Sequence, residues 1–294
     1  MRRRRVLTIL AAVAAAPLAG PVAALAQDRR IALGAETSLT LVGPHERTGP
    51  ARAAAWAELD RIGRIFSLYD PESALSRLNR DGVLESPPPE LVSLLSLAGD
   101  LHRLTGGRFD PSVQPLWQAL ARGGDTAAPR ARVGWDGIGI SAERILLRPG
   151  QALTLNGIAQ GYATDRVTAV LADHGLTRAL VDIGEFRAIG GPFRIGLSDP
   201  SAGLAGRVTL DNRAVATSSP GAMTVGGEAH ILDPSGFGRH WSTVSVVAET
   251  ATLADGLSTA LCLAGADAAR AILRRAPGDV VARAVTSDGD LVTL

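Results

Sequence analysis

The chain of 294 residues is 46% hydrophobic and 20% charged, with 30 basic against 29 acidic side chains. That balance excludes disorder as the main state. Every basic residue is arginine, which also excludes a phosphate-binding P-loop and a Schiff-base mechanism, because both need lysine. Arg2, Arg3, Arg4 and Arg5 lie ahead of residue 26 with no acid beside them, so the remainder is slightly acidic and gives no electrostatic footprint for nucleic acid.

Residues 1–26 read as an export signal. An arginine cluster precedes a short apolar stretch broken by Pro17, Gly20 and Pro21, and Ala24-Leu25-Ala26 supplies small residues before Gln27. Arginines followed by Val6-Leu7 and a mild alanine-rich core suit the twin-arginine route, and hence a periplasmic destination. The single cysteine, Cys262, has no intrachain partner and reads as a small core residue.

In the mature chain, apolar residues recur at helical spacing from Ala51 to Phe66. Ser86-Pro-Pro-Pro-Glu then opens a second helix that Gly106-Gly107 stops. RILL at 144–147 and ALTL at 152–155 read as strands, and a helix is expected over Ala159 to Asp173, ending near Gly175. Strands follow at RALVDI (178–183), FRIGL, RVTL, AVAT and STVSVVAE. Helices at Leu253–Leu263 and Asp267–Arg274 precede the closing strands DVVARAV and LVTL. Strands interspersed irregularly with helices predict an α+β fold, with residues 27–294 as one unit of mixed or antiparallel sheets and packed helices.

Five stretches combine glycine with acids, hydroxyls or histidine: FSLYDPESALSRLN (66–79), TGGRFDPSVQPLW (105–117), LNGIAQGYATDR (155–166), TSSPGAMTVGGEAHILDPSG (217–236) and ADGLSTAL (254–261). Singly each fits a tight turn; together, in this order, they resemble the ApbE family of FAD:protein FMN transferases from Ala51 to Ala264. The resemblance implies FAD as substrate, a divalent cation such as Mg2+, and transfer of FMN through its phosphate to a Thr or Ser hydroxyl of an acceptor protein, with release of AMP.

Residue by residue, the resemblance carries Asp255, Thr259 and the Ala159 carbonyl over as the metal site. Asp255 and Thr259 are i, i+4 on one helical face, so a carboxylate and a hydroxyl can meet one hard cation. Tyr69 stands where the family places an aromatic against the isoalloxazine ring. Arg108, Phe109 and Asp110 correspond to the segment on the adenine and ribose side of FAD, and Gly157, Gln160 and Ile231 join the cofactor-binding set. His230 matches a histidine near the flavin phosphates and, with Asp255, is expected to be catalytic, since imidazole can donate to a phosphate oxygen or move the acceptor's proton.

The chain also departs from the family pattern, reading TLNGIAQG where DLGGIAKG is common. Thr154 replaces an acid, Asn156 a glycine and Gln160 a lysine, and GEFR stands at Gly184–Arg187 for a GGDI-like segment. These variants resemble an exported branch similar to NosX, which supports nitrous oxide reduction by flavinylating a membrane electron-transfer protein. An FAD pyrophosphatase and a non-catalytic periplasmic flavin binder remain the alternatives. The acceptor-like run Asp255-Gly-Leu-Ser-Thr-Ala-Leu261 has leucine where an acceptor carries its modified threonine, and it is read as metal site.

Overall fold

The structure, a computed structural model, describes residues 25–294, so nearly all of the expected leader lies outside the described residues. A hairpin of β1 (Leu25–Ala32) and β2 (Ala35–Val42) precedes α1 (His45–Phe66), α2 (Ala74–Asp81), β3 (Val83–Glu85) and α3 (Pro89–Thr105). A 3-10 turn at Pro111–Val113 leads into α4 (Gln114–Arg122), α5 (Ala127–Ala131), β4 (Gly139–Ile140), β5 (Arg144–Leu146) and α6 (Ala159–Asp173). Next come β6 (Ala179–Asp182), β7 (Phe186–Ile189), β8 (Phe193–Asp199), β9 (Gly203–Leu210) and β10 (Ala214–Ser218). The short β11 (Thr224–Val225) and β12 (Glu228–Ala229) precede β13 (Thr243–Ala248), α7 (Ala251–Leu261), α8 (Ala266–Leu273), β14 (Val281–Val285) and β15 (Leu291–Thr293). Among the described residues no helix is long and apolar enough to cross a membrane.

The main sheet has the order β1-β2-β6-β7-β10-β13-β14-β15, with every pairing antiparallel. Alternation along its strands divides the apolar residues between two faces. Val181, Val244, Val246, Ala282 and Ala284 join the core beneath the helices, together with Leu59, Leu94, Leu101, Leu171 and Leu257. Leu180, Phe186, Ala188 and Val215 point the other way, into a second cluster closed by Phe193, Ile195, Leu197 and Leu210 of the β8–β9 hairpin. The result is an α+β unit in which helices cover one face of an antiparallel sheet and a hairpin covers the other.

The helices start and stop where side-chain chemistry requires. Pro89 opens α3 and Gly106, in the left-handed region at φ 61°, closes it; α6 spans the predicted Ala159–Asp173. One predicted strand is absent. The segment 152–155 is extended and buried at Leu153 and Leu155, yet it joins no sheet. The Asn79 side chain takes the place of a neighbouring strand: its amide donates to the Leu153 carbonyl at 2.8 Å and its Oδ1 accepts from the Leu153 N–H at 2.6 Å. The Thr154 N–H is satisfied by the Pro111 carbonyl.

Candidate active site

The glycine-rich segment LNGIAQG ends as α6 begins, and ADGLSTAL forms most of α7. Small residues let the two helices close on each other. A side chain at Gly161 would overlap the Ala251 carbonyl and come within 2.8 Å of the Asp255 Cβ. One at Gly157 would sit 2.9 Å from the Thr259 hydroxyl. The joint thus brings Gly157 to Thr259 and Gly161 to Asp255, with Ala159 between the two glycines in the chain. The Gly161 N–H donates to Asp255 Oδ2 at 3.0 Å, and Ser218, at the end of β10, meets the Ser258 and Thr259 hydroxyls at 2.8 and 3.3 Å.

Asp255 is 3% exposed. Burial pushes its carboxyl well above the usual carboxylate range, and the charge of Asp165 adds to the shift. Among the described residues Asp255 has one N–H partner and no ion pair, and a carboxylate so buried is costly as an anion. The donors at the joint are a carboxylate, a hydroxyl and a backbone carbonyl, which retains a lone pair after its helical bond is made. Such hard oxygens suit Mg2+. Among the described residues no group of three or more His, Cys, Asp and Glu is gathered to hold a metal, so a cation here rests on this mixed oxygen set.

A second acid at the joint was not singled out from the sequence. Glu185, in the β6–β7 turn, is 5% exposed; its Oε2 accepts from the Thr217 N–H at 3.0 Å, and its backbone carbonyl accepts from the Thr164 hydroxyl of α6. Burial, and after it the charge of Asp255, hold its carboxyl well above the ordinary range. In sequence Glu185 is a lone acid in GEFR, and only the departure of that segment from the family pattern marked it.

His230 follows β12, and its N–H donates to the Met223 carbonyl. Its Nδ1 faces the carbonyls of Pro220 at 3.1 Å and Met223 at 3.2 Å. Two acceptors there fix the proton on Nδ1 and leave Nε2 with its lone pair. Burial lowers the pKa, so the ring stays neutral near pH 7. Pro220 lies two residues beyond Ser218, so one short loop links the histidine to the α6–α7 joint.

The remaining predicted residues fall into two groups. Gln160 donates to the Leu33 carbonyl at the tip of the β1–β2 hairpin, and Tyr69, 63% exposed, approaches the same tip at Gly34. The other group lies beside TGGRFDP, where a cavity of about 270 Å³ opens between His102, Asp110, Arg130, Trp135 and Phe237. Here the Arg108 guanidinium is committed within the protein: it donates to the Leu263 and Thr105 carbonyls and lies over the Phe237 ring. Phe109 is buried and Ile231 is 9% exposed. Asp110 Oδ1 accepts from the Ser112 N–H and hydroxyl. Asp165, to which the sequence gave no role, accepts from the Ala251 and Thr252 N–H groups and pairs with Arg187.

Comparison with known proteins agrees with this architecture. The ApbE family model matches residues 33–283, and the chain belongs to that family. An FAD:protein FMN transferase of Klebsiella pneumoniae (strain 342) is 25% identical over 277 residues, covering 82% of this chain and 79% of the relative. That of Chlamydia muridarum is 30% identical over 229 residues, covering 69% and 72%. Among solved structures, the ApbE protein of Thermotoga maritima superposes with a TM-score of 0.81 at 27% identity, covering 92% of this chain and 97% of its own. The apo flavinyl transferase ApbE of Pseudomonas stutzeri gives a TM-score of 0.80 at 24% identity, with 94% and 97% covered, a likeness of fold.

Proposed function

We propose that this protein is an FAD:protein FMN transferase that moves FMN from FAD to a threonine or serine hydroxyl of an acceptor protein and releases AMP. The observation that carries the reading is the α6–α7 joint, where two glycine-bearing motifs far apart in sequence meet, Gly161 against Asp255 and Gly157 against Thr259. Relatives bearing that activity in their names cover most of the chain.

In this reading the cavity beside Asp110 and Trp135 takes the adenosine end of FAD, Tyr69 lies against the flavin ring, and Asp255, Thr259 and the Ala159 carbonyl hold a divalent cation, Mg2+. That cation supplies charge neutralisation at the diphosphate. The His230 Nε2 lone pair accepts the proton of the acceptor hydroxyl as its oxygen attacks the FMN phosphorus. A P–O bond forms to the acceptor, the P–O bond to AMP breaks, and AMP leaves with the bonding pair. The arginine-led leader supports action in the periplasm. The departures shared with the NosX-like branch support a membrane electron-transfer protein as acceptor, in service of nitrous oxide reduction.

The test is incubation of the purified protein with FAD, Mg2+ and a candidate acceptor. Covalent flavin on the acceptor is expected; free FMN and AMP without labelling would replace transfer by hydrolysis, and unchanged FAD would leave a flavin binder. Asp255→Ala is expected to abolish Mg2+-dependent turnover, and a fully active variant would overturn the metal site.

A further inference from the structure

The β6–β7 turn carries a buried carboxylate, Glu185, that the transfer chemistry as derived above does not use. Glu185 and Asp255 are both buried, each feels the other's field or that of a further acid, and neither has an arginine partner among the described residues. Burying two such groups without a counter-charge is expensive. The hydrogen bonds of Glu185 show where its influence goes. Its Oε2 holds the Thr217 N–H at 3.0 Å, the next residue Ser218 touches the Thr259 hydroxyl at 3.3 Å, and the following Ser219 bonds to Thr243 at 2.7 Å. Two residues after Ser218, the Pro220 carbonyl fixes His230 Nδ1. Glu185 therefore holds the end of β10 that meets Thr259 and leads into the loop that orients the histidine.

We propose that Glu185 is a positioning residue of the cation site: its hydrogen bond to Thr217 holds Ser218 against Thr259, and a divalent cation bound at Asp255 and Thr259 would supply the counter-charge that its buried carboxyl lacks. This rests on the reading of Asp255 and Thr259 as cation ligands. Charged groups that support the ligands of a metal commonly change affinity by on the order of 10–100-fold when removed.

The experiment follows FAD binding to the full chain by quenching of flavin fluorescence while Mg2+ is varied, so the readout is the Mg2+ midpoint and not turnover. Glu185→Gln keeps an acceptor for the Thr217 N–H and removes the charge. Its midpoint is expected to rise by about tenfold or more, with FAD affinity at saturating Mg2+ unchanged and thermal unfolding close to that of the parent. Glu185→Asp restores the charge and is expected to bring the midpoint back toward the parent value. If Glu185→Gln leaves the midpoint unchanged while Asp255→Asn removes the Mg2+ dependence, the role of Glu185 falls and the cation site stands. If FAD binding by the parent ignores Mg2+, both fall together.

Discussion

At the joint of α6 and α7, Gly157 and Gly161 let the chain pack until an added methyl would meet the Thr259 hydroxyl or the Ala251 carbonyl, and Asp255 is sealed inside. The rim is built the opposite way: Tyr69 is 63% and Met223 48% exposed, and His230 hangs from backbone carbonyls of a short loop. The joint owes its geometry to packing, which tolerates little change. The rim owes its geometry to a few hydrogen bonds and can meet a macromolecular partner. Substitutions in the two regions should therefore fail differently, the joint through folding and cation binding, the rim through chemistry with the fold intact.

At the rim, the largest effect on chemistry is expected at His230. His230→Ala should lower transfer by on the order of 10²–10⁴-fold while Mg2+-dependent FAD binding and the unfolding midpoint stay near those of the parent. With the native histidine, the free-enzyme rate should rise with pH as the ring loses its proton, with a midpoint below the ordinary histidine value because burial disfavours the cation. An acid limb above that value would remove His230 as the base. At the joint, Gly161→Ala puts a methyl into the Ala251 carbonyl and should cost about 2–3 kcal/mol by denaturant unfolding, or prevent folding. A stable, active Gly161→Ala protein would show that the helices are not held as closely as described.

Smaller effects sharpen the contrast. Tyr69→Ala should weaken FAD binding by about tenfold, the scale of an aromatic stacking contact, with stability unchanged. Unaltered affinity would remove the ring from the flavin site. At the end of β6, burial pushes the Asp182 carboxyl up to about 7 from 3.8, while its Oδ1 accepts from the Gly184 N–H. The folded state therefore holds this proton more tightly than the unfolded chain, so the group's contribution to stability is full below about pH 4 and is lost as pH rises toward 7. Asp182→Asn keeps the acceptor and should gain on the order of 1 kcal/mol at pH 8, shrinking toward zero near pH 4. A gain independent of pH would rule out this origin.

What could be read from the sequence follows the same division. Helices α3 and α6 were legible to their ends because proline, glycine and apolar spacing act locally. The motifs around Ala159, Asp255 and His230 could each be picked out because each is one short segment. The segment 152–155 was misread because its β-like pattern is satisfied by one asparagine side chain 74 residues away. The start of α1 at His45 was missed because Pro50, which ordinarily stops a helix, lies inside it. The β1–β2 hairpin was hidden because β1 begins at Leu25, inside the segment expected to be a leader. Glu185 carries no local signature; only the fold brings it to Asp255.

The capping of α7 by Asp165 has a further electrostatic result. The aligned peptide dipoles of a helix leave roughly half a positive charge at its first turn, and α7 starts at Ala251, one turn before Asp255. Unscreened, that pole would repel a cation resting on Asp255. The Asp165 carboxylate lies across the Ala251 and Thr252 N–H groups and absorbs the pole at its source. A helix that would otherwise favour anions is thereby made hospitable to the opposite sign.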